Sequence, residues 1–411
     1  MIKKIFTVIP IFVFCFANAN EFKKPVLSND NVGVIFLNGD VNVTKNFMSI
    51  KDNGVQLPRL TTSGLQTQSL IWELESNLYI HYIYRRSYME VNLRSDMDMG
   101  TQGGNVKDIE LRRAFIGYTA VNAPKVHIDL MFGRQVASDL FDSKVMFYNL
   151  TLLNGLFINN HFPLAKHFDM GLKFAGLIFN FADRHYAYIV ELNINELTKK
   201  GPYFKYTFTN WRKKGFSTIF NLQGSSTNNA GISYGKVRDN PRYRFEISQF
   251  ILGYLLTWRG LPIEMSHGFL INHAAKRFVI FNNKKRNIAW YFDLLIGKAD
   301  KKNHYAFEII YQNVGAQALP GWDMSGIGTG NPRSNLIYGP AVDDFTGIDV
   351  IPTNATANGN VNFKGIELNY KYAITNNIQL ELEFDYSMNQ DKGIGPLRRF
   401  QNFKIAMHYN W

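Results

Sequence analysis

Residues 71–84 alternate in hydrophobicity with a period of two, and the rest of the chain repeats the pattern. One parity reads Trp72, Leu74, Leu78, Ile80, Tyr82 and Tyr84, and the other reads Glu73, Glu75, Asn77, Tyr79 and His81. Successive side chains of an extended strand point to opposite faces, so such a segment has one greasy and one wet face and cannot lie as a helix. Met89, Val91 and Leu93 stand against Glu90, Asn92 and Arg94, and Val126, Ile128, Leu130 and Phe132 against His127 and Asp129. The same holds for Phe204, Tyr206 and Phe208 against Lys205, Thr207 and Thr209, and for Ile366, Leu368, Tyr370 and Tyr372 against Glu367, Asn369 and Lys371. Ile378, Leu380, Leu382, Phe384 and Tyr386 oppose Gln379, Glu381, Glu383 and Asp385. Beyond residue 19 no stretch approaches the roughly 18 apolar residues of a membrane-crossing helix. With 33 Phe, 21 Tyr and 6 Trp among 411 residues, the chain is far too apolar to be disordered.

The N-terminus reads as an address. Met1, Ile2, Lys3 and Lys4 form a short basic region, residues 5–16 are almost continuously apolar, and Ala17, Asn18 and Ala19 form an A-x-A cleavage site. Residues 1–19 are therefore expected to be a secretory signal peptide, with residues 20–411 as one domain. Cleavage takes Lys3, Lys4 and the single Cys15, and lowers the net charge of +12 to about +10. No disulfide and no thiol metal cluster is then possible.

Seventeen strands are expected, near 33–43, 71–84, 88–97, 109–121, 125–135, 168–181, 186–194, 203–212, 215–222, 229–237, 243–258, 264–271, 288–298, 305–312, 363–373, 378–386 and 401–411. A bacterial barrel closes with an even number, which makes sixteen the expectation and eighteen the alternative. Links around 85–87, 122–124 and 375–377 are short, whereas 137–167 and 313–360 are long; short turns at one rim and long loops at the other mark outer-membrane barrels. Charges recur mid-strand on the wet parity, which a dry sandwich core would not tolerate unpaired but a water-filled lumen does. On that parity lie Glu73, Glu75, Glu90, Glu110, Asp129, Lys205, Glu367, Lys371, Glu381, Glu383, Asp385 and Lys404.

The last strand alternates Phe403, Ile405, Met407, Tyr409 and Trp411 with Lys404, Ala406, His408 and Asn410 and ends on an aromatic. In this it resembles the Gram-negative outer-membrane porins, whose final strand is read by the barrel-assembly machinery, usually at a terminal Phe where this chain has Trp411. The run Leu111, Arg112, Arg113, Ala114, Phe115, Ile116, Gly117, Tyr118 followed by Phe132, Gly133, Arg134, Gln135 is similar to paired strands of general-diffusion and phosphate-selective porins. The resemblance implies an all-β transmembrane antiparallel barrel in the outer membrane, a homotrimer, and an inward-folded constriction loop after the fifth strand, at about 136–167. It further implies that Asp139 and Asp142 project from that loop towards basic wall residues, first Arg112 and Arg134, then Arg94, and set up a transverse field across an aqueous gap. Arg113 does not fit simple alternation: its parity is that of Ile109, Leu111 and Phe115, where an Arg at mid-membrane costs roughly 2–4 kcal/mol. A register shift, an interface position or a partner subunit would each relieve this.

Other patterns carry less. Gly231-Ile232-Ser233-Tyr234-Gly235 matches G-x-S-x-G without the strand-to-helix turn and partners of a nucleophile elbow. Gly326-Ile327-Gly328-Thr329-Gly330 lacks βαβ context, and His161 and His167 are isolated, so neither a cofactor nor a metal is expected. The basic clusters Lys284-Lys285-Arg286 and Trp211-Arg212-Lys213-Lys214 fit solvated loops or lipopolysaccharide phosphates, and nucleic acid is excluded by the signal peptide. The sequence thus points to a non-enzymatic porin passing small hydrophilic solutes and ions, surrounded by outer-membrane lipid and lipopolysaccharide. A substrate-specific channel, for phosphate or sugars, and an adhesin acting through a long external loop at about 313–362 are the alternatives; a hydrolytic barrel is the third rival. Ion selectivity stays open, because the positive net charge and the carboxylate-rich wet parity disagree.

Overall fold

A computed structural model describes residues 27–29, 33–52, 55–57, 59–61, 64–66, 70–99, 105–106, 109–147, 151–165, 168–180, 185–195, 200–213, 244–275, 277, 284–320, 327, 361–391 and 398–411. Among these residues sixteen long strands form the wall: β1 (Gly33–Asp52), β2 (Leu70–Tyr84), β3 (Ser87–Met99), β4 (Glu110–Ala123), β5 (Val126–Val136), β6 (Leu152–Ala165), β7 (Phe168–Asn180) and β8 (His185–Ile194). The second half holds β9 (Gly201–Lys213), β10 (Arg244–Trp258), β11 (Leu261–Asn272), β12 (Ile288–Gly297), β13 (Tyr305–Val314), β14 (Phe363–Ala373), β15 (Ile378–Asn389) and β16 (Arg398–Asn410). Each pairs antiparallel with the next, and β16 returns to β1 with Asp40 opposite Asn410 and Asp52 opposite Arg398. The sheet closes, so no strand edge is left to face lipid.

Fifteen of the sixteen strands fall where the alternation puts them. Segments 215–222 and 229–237 lie outside the described residues, as do residues 1–19 with the expected signal peptide. The strand missed by the sequence reading is β6, inside the segment 136–167 assigned to the constriction loop. Its inward Leu153 and Phe157 are fully buried in the apolar cluster, so only Asn159 and His161 further along keep the wet parity, and the resemblance assigns the whole segment to the loop. The loop is correspondingly shorter, running from Ala137 to Thr151.

The outer face is apolar and uncovered: Ile116, Phe132 and Leu252 are 61%, 63% and 63% exposed, alongside Trp72, Tyr188, Phe250 and Tyr370. Such an exposed apolar belt is stable only against hydrocarbon. At the seam, Trp411 and Gly39 exchange backbone hydrogen bonds of 2.9 and 3.2 Å, and the indole lies over the glycine so closely that a Cβ there would meet the ring at 2.4 Å.

The interior is divided. Residues 137–147 and 315–320 pack with inward side chains of β6 to β14, including Ile189, Ile247, Leu270 and Val314, into an apolar cluster. Across the barrel, from β14 through β16 and β1 to β4, the inward side chains are predominantly polar or charged.

Candidate pore constriction

The segment after β5 leaves the wall because its ladder with β6 ends at Val136 opposite Leu152, with one further bond from the Ala137 amide to the Thr151 carbonyl. A four-residue helix, α1 (Ala137–Leu140), follows, and the chain then crosses the lumen. The Ser143 hydroxyl accepts hydrogen bonds from the amides of Val145 and Met146 at 3.2 and 3.0 Å, and Phe147 takes a positive φ of 65°. Phe141, Val145, Met146 and Phe147 are buried in the apolar cluster.

Polar contacts fix the crossing at both ends. On the far wall Lys144 Nζ lies 2.6 Å from Glu308 and 3.4 Å from Asp293, while Asp142 accepts from Lys205 Nζ at 2.9 Å. The side-chain amide of Gln249 donates to the Asp142 carbonyl at 2.9 Å, and that of Gln312 donates to the Lys144 carbonyl. On the near wall Arg113 donates to Asp139 at 2.5 Å and to Glu90 at 2.6 Å, with its guanidinium 5.8 Å from the Tyr79 ring centre. Burial disfavours the Lys144 ammonium, but Glu308 and Asp293 outweigh it and raise its pKa. Burial likewise opposes ionisation of Asp142, and Lys205, then Lys144, hold its carboxyl below the usual range. For Asp139 burial prevails over Arg113 and raises the carboxyl.

Between the loop and the polar wall lies a cavity of about 340 Å³, bounded by Val136, Ser138 and Asp139 on the loop side. The wall supplies Asp40 and Asn42 from β1, Glu75, Asn77 and Tyr79 from β2, Asn92 from β3, Arg112 and Arg113 from β4, and His408 and Asn410 from β16. Two arginines in succession reach one side because the strand bulges. Asn92 of β3 pairs with Arg113 and Leu93 with Leu111, so Arg112 is the extra residue and both arginines line the cavity. The register shift removes the conflict that alternation posed for Arg113.

The expected constriction residues thus separate. Asp139 and Arg112 line the cavity. Arg94 is one layer back, 2.7 Å from Glu75 and 3.9 Å from Glu110. Asp142 does not face these arginines, because the chain has crossed the lumen before reaching it and Lys205 takes its charge. Arg134 lies on the outer face with Phe132, bonded to Asn154 Oδ1 at 2.8 Å and the Leu111 carbonyl at 3.1 Å; its even parity already opposed an inward assignment. The wet-parity residues share the inner face by register. Asp129 bonds Thr119 and His127, Lys404 sits 2.7 Å from Glu383, and Glu381 receives His408 at 2.6 Å with Lys371 at 3.8 Å. Glu367 is directly opposite Asp385, Glu73 opposite Thr44, and Glu110 opposite Arg94. Phe403, Ile405 and Met407 occupy the outer parity of β16, as expected of its alternation. The sequence reading missed Arg113 as a pore residue, Lys144 as an anchor, and Asp40, which the parity of Asp40 and Asn42 against Val41 and Val43 would have revealed.

No protein-family model matches the sequence. No curated protein matches it either. Solved structures do: the high-pH structure of Pseudomonas putida OprB superposes with a TM-score of 0.56 at 10% identity, covering 92% of this chain and 94% of that one. Salmonella typhi OmpF, in a complex with daunomycin, gives 0.51 at 11% identity over 94% and 99%. The chain has the outer-membrane porin fold. At this identity the likeness is one of architecture, and the porin fold here carries its own set of lumen residues.

Proposed function

We propose that this porin-fold barrel is a water-filled channel in the outer membrane of a Gram-negative bacterium, through which small hydrophilic solutes and ions diffuse passively. The observation that carries this reading is the loop fixed across a closed barrel, which leaves a polar gap of about 340 Å³ beside the wall of β16 and β1 to β4. A strand-walled lumen narrowed at one level sieves by size above the constriction's width and by charge within it. The apolar belt takes lipid, and Lys45, 4.4 Å from the Trp72 ring centre on the outer face, is suited to a lipopolysaccharide phosphate. The barrel functions as a homotrimer, and the β16 terminus with Phe403, Ile405, Met407, Tyr409 and Trp411 serves as the mark for assembly.

Liposome swelling tests the reading. Vesicles containing the refolded barrel should swell in solutions of small sugars and amino acids, at rates falling steeply with solute mass. Swelling no faster than that of empty vesicles, with the barrel folded and inserted, would contradict it.

A further inference from the structure

At the constriction the charges are not balanced in the same way on both sides. The Arg113 guanidinium is held by two carboxylates, Glu90 and Asp139, Arg94 by Glu75, and Arg112 stands within the field of Glu75, Glu110 and Asp139. His408 is engaged through both ring nitrogens, by Asn42 at 2.7 Å and Glu381 at 2.6 Å. Asp40 differs. Its carboxylate accepts from the Asn77 amide at 2.9 Å, the Asn42 amide at 3.3 Å and the Tyr79 hydroxyl. All three donors are neutral, and among the described residues no cationic side chain forms an ion pair with it. Neutral donors orient a carboxylate and leave its full charge in place, whereas an ion-paired arginine projects little net field. Asp40 lines the cavity itself, so that charge acts where a permeating ion sheds part of its hydration.

We propose that the constriction passes cations in preference to anions, with Asp40 as the residue that sets the preference, despite the net charge of +12 over the whole chain. The inference rests on the channel reading above and concerns the same site. Both arginines of the cavity stand among carboxylates, Arg113 with Glu90 and Asp139 and Arg112 beside Glu75, Glu110 and Asp139, and Asp40 is the lining carboxylate held by neutral donors alone.

The test is the reversal potential of the refolded full-length mature barrel in a planar bilayer under a potassium chloride gradient, for wild type, Asp40→Asn and Asp40→Glu. Heat-modifiable migration of each variant verifies folding. Wild type should reverse at the sign of potassium, and Asp40→Asn should lower the potassium-to-chloride permeability ratio by about two- to fourfold, the effect of one charge some 5 Å from the ion path in water. Asp40→Glu should restore most of the ratio. A wild-type reversal at the sign of chloride, or a ratio unchanged in folded Asp40→Asn, would overturn the proposal and leave the channel standing. Absence of any openings from folded wild type would overturn the channel reading and this proposal with it.

Discussion

Lys144 holds the centre of the constriction loop through two carboxylates on different strands, Asp293 of β12 and Glu308 of β13. Removing the ammonium leaves both acids without a counter-charge, and a charged group that loses its partner in this half-buried setting costs about 1–3 kcal/mol. Lys144→Met should therefore lower the temperature of the heat-modifiability transition and make channel current noisier, while Lys144→Arg should preserve both. Trp411 and Gly39 present the opposite kind of constraint, steric instead of electrostatic. Gly39→Ala forces a methyl into the indole, an overpacking worth about 1–3 kcal/mol, and should reduce the yield of folded barrel measured by the same gel shift. Arg113 shows why single residues were the least legible part of the sequence. Parity is a property of a continuous strand, and the extra residue at Arg112 reverses it locally without any mark in composition. Arg134 fails for the complementary reason: it was placed inward by resemblance against its own parity.

At the scale of the element, the loop from α1 to Phe147 is a strap fixed by charge at both walls and by apolar packing of Phe141, Val145, Met146 and Phe147. Its carboxyls answer to pH with opposite signs. Asp142 lies below its ordinary value, so its contribution is complete above the unfolded value near 4 and is lost as pH falls through the lower folded one. Asp139 lies above its ordinary value, so its protonation begins at higher pH and relieves burial, while releasing Arg113. Acidification should thus act in two steps. Conductance and its charge dependence should change first, as Asp139 neutralises, with the loop still held by Asp142; loosening, seen as voltage-dependent closure, should appear only below about pH 4. Asp142→Asn should bring that closure to neutral pH. A single coincident transition would show that the two contacts do not act separately. The strands of the polar wall were legible because water on one side and lipid on the other write alternation into them. Strand β6 was not, because the inner face of its first half, Leu153 and Phe157, joins the apolar cluster with Phe141 and Phe147, which leaves only Asn159 and His161 to mark the period.

For the whole molecule, closure and asymmetry follow from the same division of the interior. Among the described residues the strap and residues 315–320 cover one side of the lumen and the other side is polar, so the cavity runs along one wall and its residues come from adjacent strands around the β16–β1 seam. The alternation marked the strands, and the mid-strand charges, the strand-end aromatics and the terminal aromatic strand pointed to a membrane barrel; which side of the lumen the loop covers is decided by Lys205, Asp293 and Glu308, residues more than sixty positions away in the chain. Cross-linking in detergent should give a trimer, since the apolar belt is interrupted on the outer face of β5 and β6 by Arg134 and Asn154. The most direct measurement is the single-channel current of the refolded chain in a planar bilayer at high salt. Stepwise openings of roughly nanosiemens size, grouped in threes, are the predicted result for a water-filled pore narrowed by a fixed loop. A folded, heat-modifiable barrel that inserts and shows no openings would contradict it.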